Sequence, residues 1–283
     1  MGKSLYRPQH LGTALEYAHT PINLLKPVIW GFNANETPTL QELPVWQAAA
    51  GLVFKILGST WYGWANLVSL IFFATALWPF FQLARQYVGQ RAAWWTLAFF
   101  LAQPLIVIYA GRAATDGFCL VVVIWFLFFA DRMIQTGQLR WWLPLVLFAC
   151  LGAVSKLPFF MVAGLVAVSM LIVKRERSLR LWALLAGAGA VAAVVFMGWS
   201  HYCDSMAALA EYPYTELRLS RNPFMVWWFF GDLQMRLSPG IWIKGSWRFL
   251  DATLGSLPFA VILLAALIRP ETGSRSSGCW PLF

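Results

Sequence analysis

The stretch Gly31–Gly58, GFNANETPTLQELPVWQAAAGLVFKILG, decides how this chain is interpreted. It begins as a polar loop that carries two acids, Glu36 and Glu42, each close to a proline. It then becomes an apolar segment, Val45–Leu57, which ends at Gly58 just before the first long apolar run. An acidic loop that leads into such a segment indicates a polar site at a bilayer surface.

The composition around this stretch excludes a water-soluble protein. Of the 283 residues, 60% are hydrophobic, 17% aromatic and only 12% charged, whereas a soluble domain carries about 25% charged residues. The net charge of +9 is scattered between apolar runs, so it indicates topology signals and anchors for anionic lipid rather than a nucleic-acid surface. The seventeen tryptophans fit the interfaces of a bilayer.

Seven apolar runs approach the length of roughly 17–25 residues that a membrane span needs, and together they predict an all-α polytopic bundle with additional juxtamembrane helices on the outer face. The predicted spans are Trp61–Ala84, Ala92–Ala110, Ala114–Met133, Gln138–Ser155, Leu157–Val173, Leu181–Ser200 and Phe249–Ile268. The expected organisation is an outer-face loop and juxtamembrane helix (1–60), a six-span core (61–200), a long outer-face loop (201–248), a last span (249–268) and a disordered tail (269–283).

Basic residues in alternate short connections predict the orientation in a cell membrane. The richer set is expected to be cytoplasmic and contains Arg85, Arg91, Arg132, Arg140, Lys174, Arg175, Arg177, Arg180 and Arg269. Residues 1–45 are then outside, with nothing in the chain to export them. We therefore expect a first transmembrane helix, upstream of Met1, to be missing.

Charged and aromatic side chains converge on this predicted outer face. They are Glu36, Glu42, Arg112, Asp116, Lys156, Trp227 and Trp228. Carboxylates ligate divalent cations such as Mg²⁺ or Mn²⁺ and accept protons from an attacking hydroxyl. Lysine and arginine bind phosphate oxygens. The set therefore predicts a site for a phosphorylated lipid, with a divalent cation as a candidate cofactor.

Structural explanations for the same residues remain open. Glu36 and Glu42 can be solvated loop acids. Arg112 and Asp116, spaced i, i+4, can form a local ion pair. Lys156 can extend to the headgroups as an interfacial anchor. Likewise, the aromatic run around Trp227 and Trp228 is also typical of an interfacial helix without a catalytic role.

Three stretches in this order resemble a known family of enzymes. They are INLLKPVIWGFNANETPTLQELPVWQAAAGLVFKILG, GRAATDGF and LGAVSKLPFFMVAGL. Together they are similar to the integral-membrane C-fold glycosyltransferases, and within those to the protein O-mannosyltransferase and aminoarabinose transferase branch, glycosyltransferase family 39. The likeness extends over roughly residues 10–268, and its most specific part is Glu42-Leu43-Pro44 with the apolar segment behind it.

The resemblance implies roles for four residues. Glu42 would line the active site, Asp116 would help to place a metal or the acceptor, and Lys156 would contact the carrier phosphate with Arg112 as a helper. Under this reading, Glu42 and Asp116 are the candidate metal ligands. Glu36, Trp227 and Trp228 are further candidates for binding substrate.

The chain departs from the family in its first outer loop. The family usually has a catalytic aspartate there, whereas residues 7–14, RPQHLGTA, contain no acid. Glu16 is the nearest carboxylate, and His10 is an alternative base. The family's proteins also continue through more spans beyond the point where this chain turns into SRSSGCWPLF, so both ends are expected to be incomplete.

The function expected from the resemblance is transfer of a sugar from a polyprenyl-phosphate donor to a protein, lipid or glycan hydroxyl outside the cytoplasm. A membrane transporter is the alternative, and it would show helices broken in mid-membrane and an inverted repeat. A subunit without chemistry is the third possibility.

Overall fold

The computed structural model describes residues 9–27, 42–174, 178–207 and 232–254, and within these ranges the chain is helical without a strand. The helices there are α1 (Gln9–His19), α2 (Val45–Leu57), α3 (Tyr62–Val88), α4 (Gln90–Ala102), α5 (Pro104–Ala110), α6 (Thr115–Thr136), α7 (Trp142–Val173, after a 3-10 turn at Leu139–Trp141), α8 (Leu179–Ala207), α9 (Leu233–Leu237) and α10 (Pro239–Leu254). An all-helical bundle is thus confirmed.

Helix α6 is the centre of the bundle. In its most apolar stretch 67% of the residues are buried, against 22–28% in the other long apolar helices. It packs against α3 on one side, where the Phe72 and Phe118 rings meet edge to face 5.2 Å apart. On the other side it packs against α7. Since hydrocarbon tails are as apolar as leucine, this close packing of side chains is what holds such helices together.

Helix α7 contains a break at Lys156, whose backbone (φ −159°, ψ 86°) is extended rather than helical. The break divides α7 into a first limb (142–155) and a second limb (157–173). Pro158 lies in the first turn of the second limb, where its missing N–H breaks no helical hydrogen bond. Ring contacts show the direction of the first limb. Trp141 lies beside Phe129 (ring centroids 6.1 Å apart), and Phe148, further along the limb, lies beside both Phe129 (5.5 Å) and Trp125 (5.9 Å).

The first limb therefore runs antiparallel to α6, and the second limb runs back alongside it. Lys156 contacts Asp116 near the start of α6, and the Lys174 ammonium lies 2.8 Å from Asp131, about 22 Å further along the same helix. The two limbs are consequently an antiparallel helical hairpin with Lys156 at its tip. We call the two ends of the bundle the Lys156 end and the Lys174 end.

Small residues let the two limbs approach closely. Ala149 and Ala153 on the first limb are buried in the same cluster as Ala163 and Ala167 on the second. Each pair has the i, i+4 spacing that places small residues on one helix face. A Cβ built on Gly152 would lie only 2.8 Å from the ring of Phe160, so this position has almost no room for a side chain.

The predicted span Ala92–Ala110 is broken in the structure. Helices α4 and α5 meet at a bend of 68°. The residue before a proline is restricted to extended backbone, and Gln103 before Pro104 has φ −65° and ψ 130°. Sequence hydropathy alone could not show this bend because both sides of it are apolar.

The described part of the chain contains four helices that are long and apolar enough to cross a membrane, or five if the bent pair is one span. This is fewer than the seven predicted. The count takes Leu139–Val173 as one span, whereas its two limbs correspond to the two predicted spans Gln138–Ser155 and Leu157–Val173. The predicted last span lies outside the described residues beyond Leu254.

The predicted long loop 201–248 begins later than expected, because α8 continues to Ala207. Residues 208–231, which include the aromatic run around Trp227 and Trp228, lie outside the described residues. The rest of the predicted loop forms α9 and most of α10, and α10 has Ile241, Trp242 and other large apolar side chains exposed on its surface.

Helix α2 has the predicted bounds and joins α1 to the bundle. It ends at Gly58, whose positive φ of 60° forms a left-handed cap that hydrogen-bonds back to Phe54. Trp46 on α2 donates to the Ser69 hydroxyl on α3 (2.8 Å) inside the core. Gly51 packs directly against Tyr17 of α1, so a Cβ there would collide with α1.

The hairpin can be tested by a disulfide. A Cβ on Gly152 would lie 3.4 Å from the Cβ of Phe160, close to the separation in natural disulfides. We expect the pair Gly152→Cys/Phe160→Cys, in a background without other cysteines, to crosslink on mild oxidation, as detected by mass spectrometry. A continuous helix would keep these positions about 12 Å apart. The control pair Gly164→Cys/Ile172→Cys has the same spacing within one limb and should stay reduced; crosslinking of both pairs, or of neither, would contradict the hairpin.

Candidate functional site

At the tip of the hairpin, Lys156 lies between two carboxylates. Its ammonium contacts Oδ1 of Asp116 and lies 3.9 Å from Oε1 of Glu42. It also lies 5.7 Å from the centroid of the Phe159 ring. The three charged side chains are 21–33% exposed, so solvent reaches the cluster only in part. One positive and two negative charges leave a net charge of −1.

The start of α6 positions Asp116. The preceding turn is held by Asn66 of α3, whose side-chain oxygen accepts a hydrogen bond from the Ala113 amide (3.0 Å). In the first turn, a Cβ on Gly117 would lie 2.6 Å from the Tyr109 carbonyl oxygen. Only glycine permits this close approach of α5 to α6. The approach fixes the first turn of α6, which carries Asp116.

Glu42 is positioned from two directions. The amide of the next residue, Leu43, donates to the carbonyl of Val154 on the hairpin (3.1 Å). Pro44, two residues after Glu42, is buried and leads into α2. Helix α2 is in turn fixed to α3 by the hydrogen bond from Trp46 to Ser69. The segment before α2 is therefore bound to the hairpin tip.

Three side chains at this end have a buried polar atom without a hydrogen bond among the described residues. These atoms are Oε2 of Glu42, Oγ of Ser155 and the indole Nε1 of Trp199. Trp199 is on α8 and packs with Val154 and Cys203, and Leu43 joins this small cluster. The unused hydrogen-bonding capacity thus surrounds the contact between residue 43 and the hairpin.

The structure brings together three of the residues predicted for the site and leaves others apart. Arg112 is exposed, and Asp116 pairs with Lys156 rather than with Arg112, so the local i, i+4 ion pair is not formed. Glu16 lies on α1 and makes no ion pair within the described part of the chain. His10 is in the first turn of α1, and its side chain lies outside the described residues, as do Glu36, Trp227 and Trp228.

The two proposed metal ligands, Glu42 and Asp116, lie on the same lysine. Mg²⁺ is usually held by one or two carboxylates together with waters and phosphate oxygens, and the described residues include no group of three or more acidic, histidine or cysteine side chains that could hold an ion. Glu42 and Asp116 already share the Lys156 ammonium, which occupies the place between them. A divalent cation at these two carboxylates would have to displace Lys156.

A second charged cluster lies at the Lys174 end and was missed in the sequence. Asp131 is almost completely buried and accepts hydrogen bonds from Tyr87 (2.9 Å) and Lys174 (2.8 Å), and Gln135 also contacts it. The ammonium of Lys174 lies 5.5 Å from the Tyr87 ring. An acid within an apolar run was the signal that could have identified Asp131 as a buried partner.

The fold and the cluster around Lys156 define a polytopic helical membrane protein with a charged site at one end of its bundle. The sequence model of the dolichyl-phosphate-mannose-protein mannosyltransferase family matches residues 38–202, more than half of the chain. The chain belongs to this family, a family of membrane glycosyltransferases, and the match contains Glu42, Asp116 and Lys156. Comparison with curated proteins and with solved structures gave no match.

Proposed function

We propose that this chain transfers a sugar from a polyprenyl-phosphate donor to a hydroxyl group at the Lys156 end of the bundle. The observation that carries the proposal is one lysine held between two carboxylates at the end of an apolar bundle, inside the family match. The family's description supports mannose as the sugar and a protein as the acceptor. A lipid or glycan hydroxyl is an equally suitable acceptor for the same chemistry.

In this proposal Lys156 binds the phosphate of the donor. An ammonium is a strong hydrogen-bond donor to phosphate oxygens. The Lys156 side chain lies where a lipid phosphate would arrive if its polyprenyl tail were in the bilayer. Because Lys156 contacts Asp116, the incoming phosphate has to compete with that carboxylate for the ammonium. Asp116 thus holds Lys156 in place and weakens donor binding at the same time.

Glu42 is the better candidate for the general base. One of its carboxylate oxygens is 3.9 Å from Lys156, and the other makes no hydrogen bond with a described residue. The acceptor oxygen would attack the anomeric carbon as the bond from that carbon to the phosphate oxygen breaks. Glu42 would take the hydroxyl proton, and the bonding electrons would leave with the polyprenyl phosphate, whose charge Lys156 stabilises.

The broken pair α4–α5 is the feature that a transporter would share. Its break, at Gln103, carries no ionisable side chain. The charged residues are gathered instead at a helix tip and at helix ends. This distribution favours an enzyme.

The first prediction from this function concerns phosphate binding. We expect Lys156→Met to weaken binding of polyprenyl phosphate in nanodiscs by about 1.5–3 kcal/mol, the range for hydrogen bonds to a charged group. Lys156→Arg should recover only part, because a guanidinium differs from an ammonium in shape and reach. The control is Lys55→Met, which removes an exposed lysine bonded to the Thr20 carbonyl. Equal affinity in all four proteins would leave Lys156 as an interfacial anchor.

A second prediction separates the two carboxylates. Asp116→Asn should tighten binding of polyprenyl phosphate by up to about five-fold, because it removes a competitor worth roughly the energy of a partly exposed ion pair. Glu42→Gln should instead lower sugar transfer by about 10²–10⁴-fold, as loss of a general base does.

The double variant Asp116→Asn/Lys156→Met shows whether the gain works through the lysine. The tightening should shrink when Lys156 is absent. Weaker phosphate binding in Asp116→Asn alone would contradict the competition, and transfer unchanged in Glu42→Gln would remove its role as base.

A third prediction concerns the face of the membrane. The distribution of basic residues supports a site outside the cytoplasm. In a cysteine-free background, Ser205→Cys at the Lys156 end should react with a membrane-impermeant maleimide in intact cells, and Ser178→Cys at the Lys174 end should react only after permeabilisation. Ser205 is exposed, whereas the natural Cys203 nearby is buried and is therefore not used as the reporter. The reverse pattern would place the site in the cytoplasm.

A further inference from the structure

The contact between residue 43 and the hairpin is surrounded by polar atoms that have no partner. Ser155 is 4% exposed and Trp199 is 9% exposed, yet within the described part of the chain neither the hydroxyl nor the indole N–H makes a hydrogen bond. Glu42 adds a buried carboxylate oxygen in the same condition. Buried polar groups without a partner cost free energy, and most are satisfied in natural proteins. Such groups from three separate elements at one junction therefore indicate a ligand-binding role.

Their position relates them to Lys156. Ser155 is its neighbour in the chain, and Glu42 lies 3.9 Å from its ammonium. Trp199 packs on Val154, two residues before Lys156. A group attached directly to a phosphate on Lys156 would therefore be next to these atoms. In a polyprenyl-phosphate donor that group is the sugar.

The chemistry of the atoms also fits a sugar. An indole N–H only donates a hydrogen bond, a carboxylate oxygen only accepts one, and a hydroxyl does both. A sugar ring offers several hydroxyls, each able to donate and accept. Apolar lipid would leave all these atoms unsatisfied, and a second phosphate would be repelled by the carboxylate of Glu42.

We propose that Ser155 and Trp199 bind hydroxyl groups of the donor's sugar ring and so determine which sugar the enzyme accepts. The inference rests on the proposed function and names two residues for its sugar-binding subsite. A site built to hydrogen-bond a hydroxyl discriminates strongly against a ligand that lacks it, since its own polar groups then stay unpaired.

The sugar reaches these atoms only when the junction opens, because all three are covered. The hairpin tip is the element suited to move. Helical geometry is interrupted at Lys156, and among the described residues one backbone hydrogen bond, from Leu43 to Val154, joins the segment before α2 to the tip. Phosphate binding draws Lys156 away from Asp116 and thereby links arrival of the donor to opening of the sugar subsite.

The experiment compares donors with and without a sugar. Full-length protein in nanodiscs is titrated with polyprenyl phosphate and with polyprenyl phosphate carrying mannose or glucose. The measured quantity is the gain in affinity that the preferred sugar provides. We expect Ser155→Ala and Trp199→Phe each to reduce this gain about 3- to 10-fold, the loss of one neutral hydrogen bond. The affinity for the sugar-free lipid should be unchanged, which also shows that each variant is folded.

Trp141→Phe is the matched control. Trp141 also has a buried indole N–H that bonds to no described residue, but it lies beside Phe129 towards the Lys174 end. This variant should keep the full sugar-dependent gain. A loss of the gain in Trp141→Phe equal to that in Trp199→Phe would overturn the assignment.

The remaining outcomes separate the inference from the proposed function. Wild-type protein that binds none of the lipids would contradict the proposed function itself. Wild-type protein that binds the sugar-free lipid but gains nothing from either sugar would overturn the subsite alone. An unchanged gain in both Ser155→Ala and Trp199→Phe would also overturn it, and would assign the polar atoms to buried water.

Discussion

Placing a lysine at a break between two apolar helical limbs constrains the rest of this structure. An ammonium in surroundings of low dielectric needs a counter-charge, because the loss of hydration costs more than helix packing returns. Asp116 and Glu42 supply the charge from two separate segments, both earlier in the chain. The start of α6 and the segment before α2 must therefore meet at the hairpin tip. The Leu43–Val154 and Ala113–Asn66 hydrogen bonds maintain that meeting.

Much of the fold could be predicted because hydropathy and glycine positions are local signals. The bounds of α2 and the end at Gly58 follow from the apolar segment and the residue suited to a left-handed cap. The bend at Gln103 was missed, since a proline between two apolar runs can begin a helix or break one. The two limbs of the hairpin were predicted as two spans. That one residue with extended backbone, Lys156, connects them without a longer loop could not be foreseen.

The site was predictable in its residue types and less so in its pairing. Charges expected on one surface drew attention to Glu42, Asp116 and Lys156, and the family resemblance supplied their roles. The sequence offered Arg112 as a local partner for Asp116. The structure instead pairs Asp116 with a lysine 40 positions away. Trp199 carried no signal of its own, because its unpartnered indole appears only once α8 lies against the hairpin.

Helix α6 and the second limb of the hairpin are tied together at both ends, by Lys156 with Asp116 and by Lys174 with Asp131. The two ties differ in strength, because Asp131 is almost completely buried and hydrogen-bonded to Tyr87, while Asp116 is one-third exposed. If a donor phosphate takes Lys156 from Asp116, as we propose, the contact between Lys174 and Asp131 would remain. The limb would then pivot at Lys174, about 27 Å from the tip. A small tilt at the buried end would displace the tip by several ångströms.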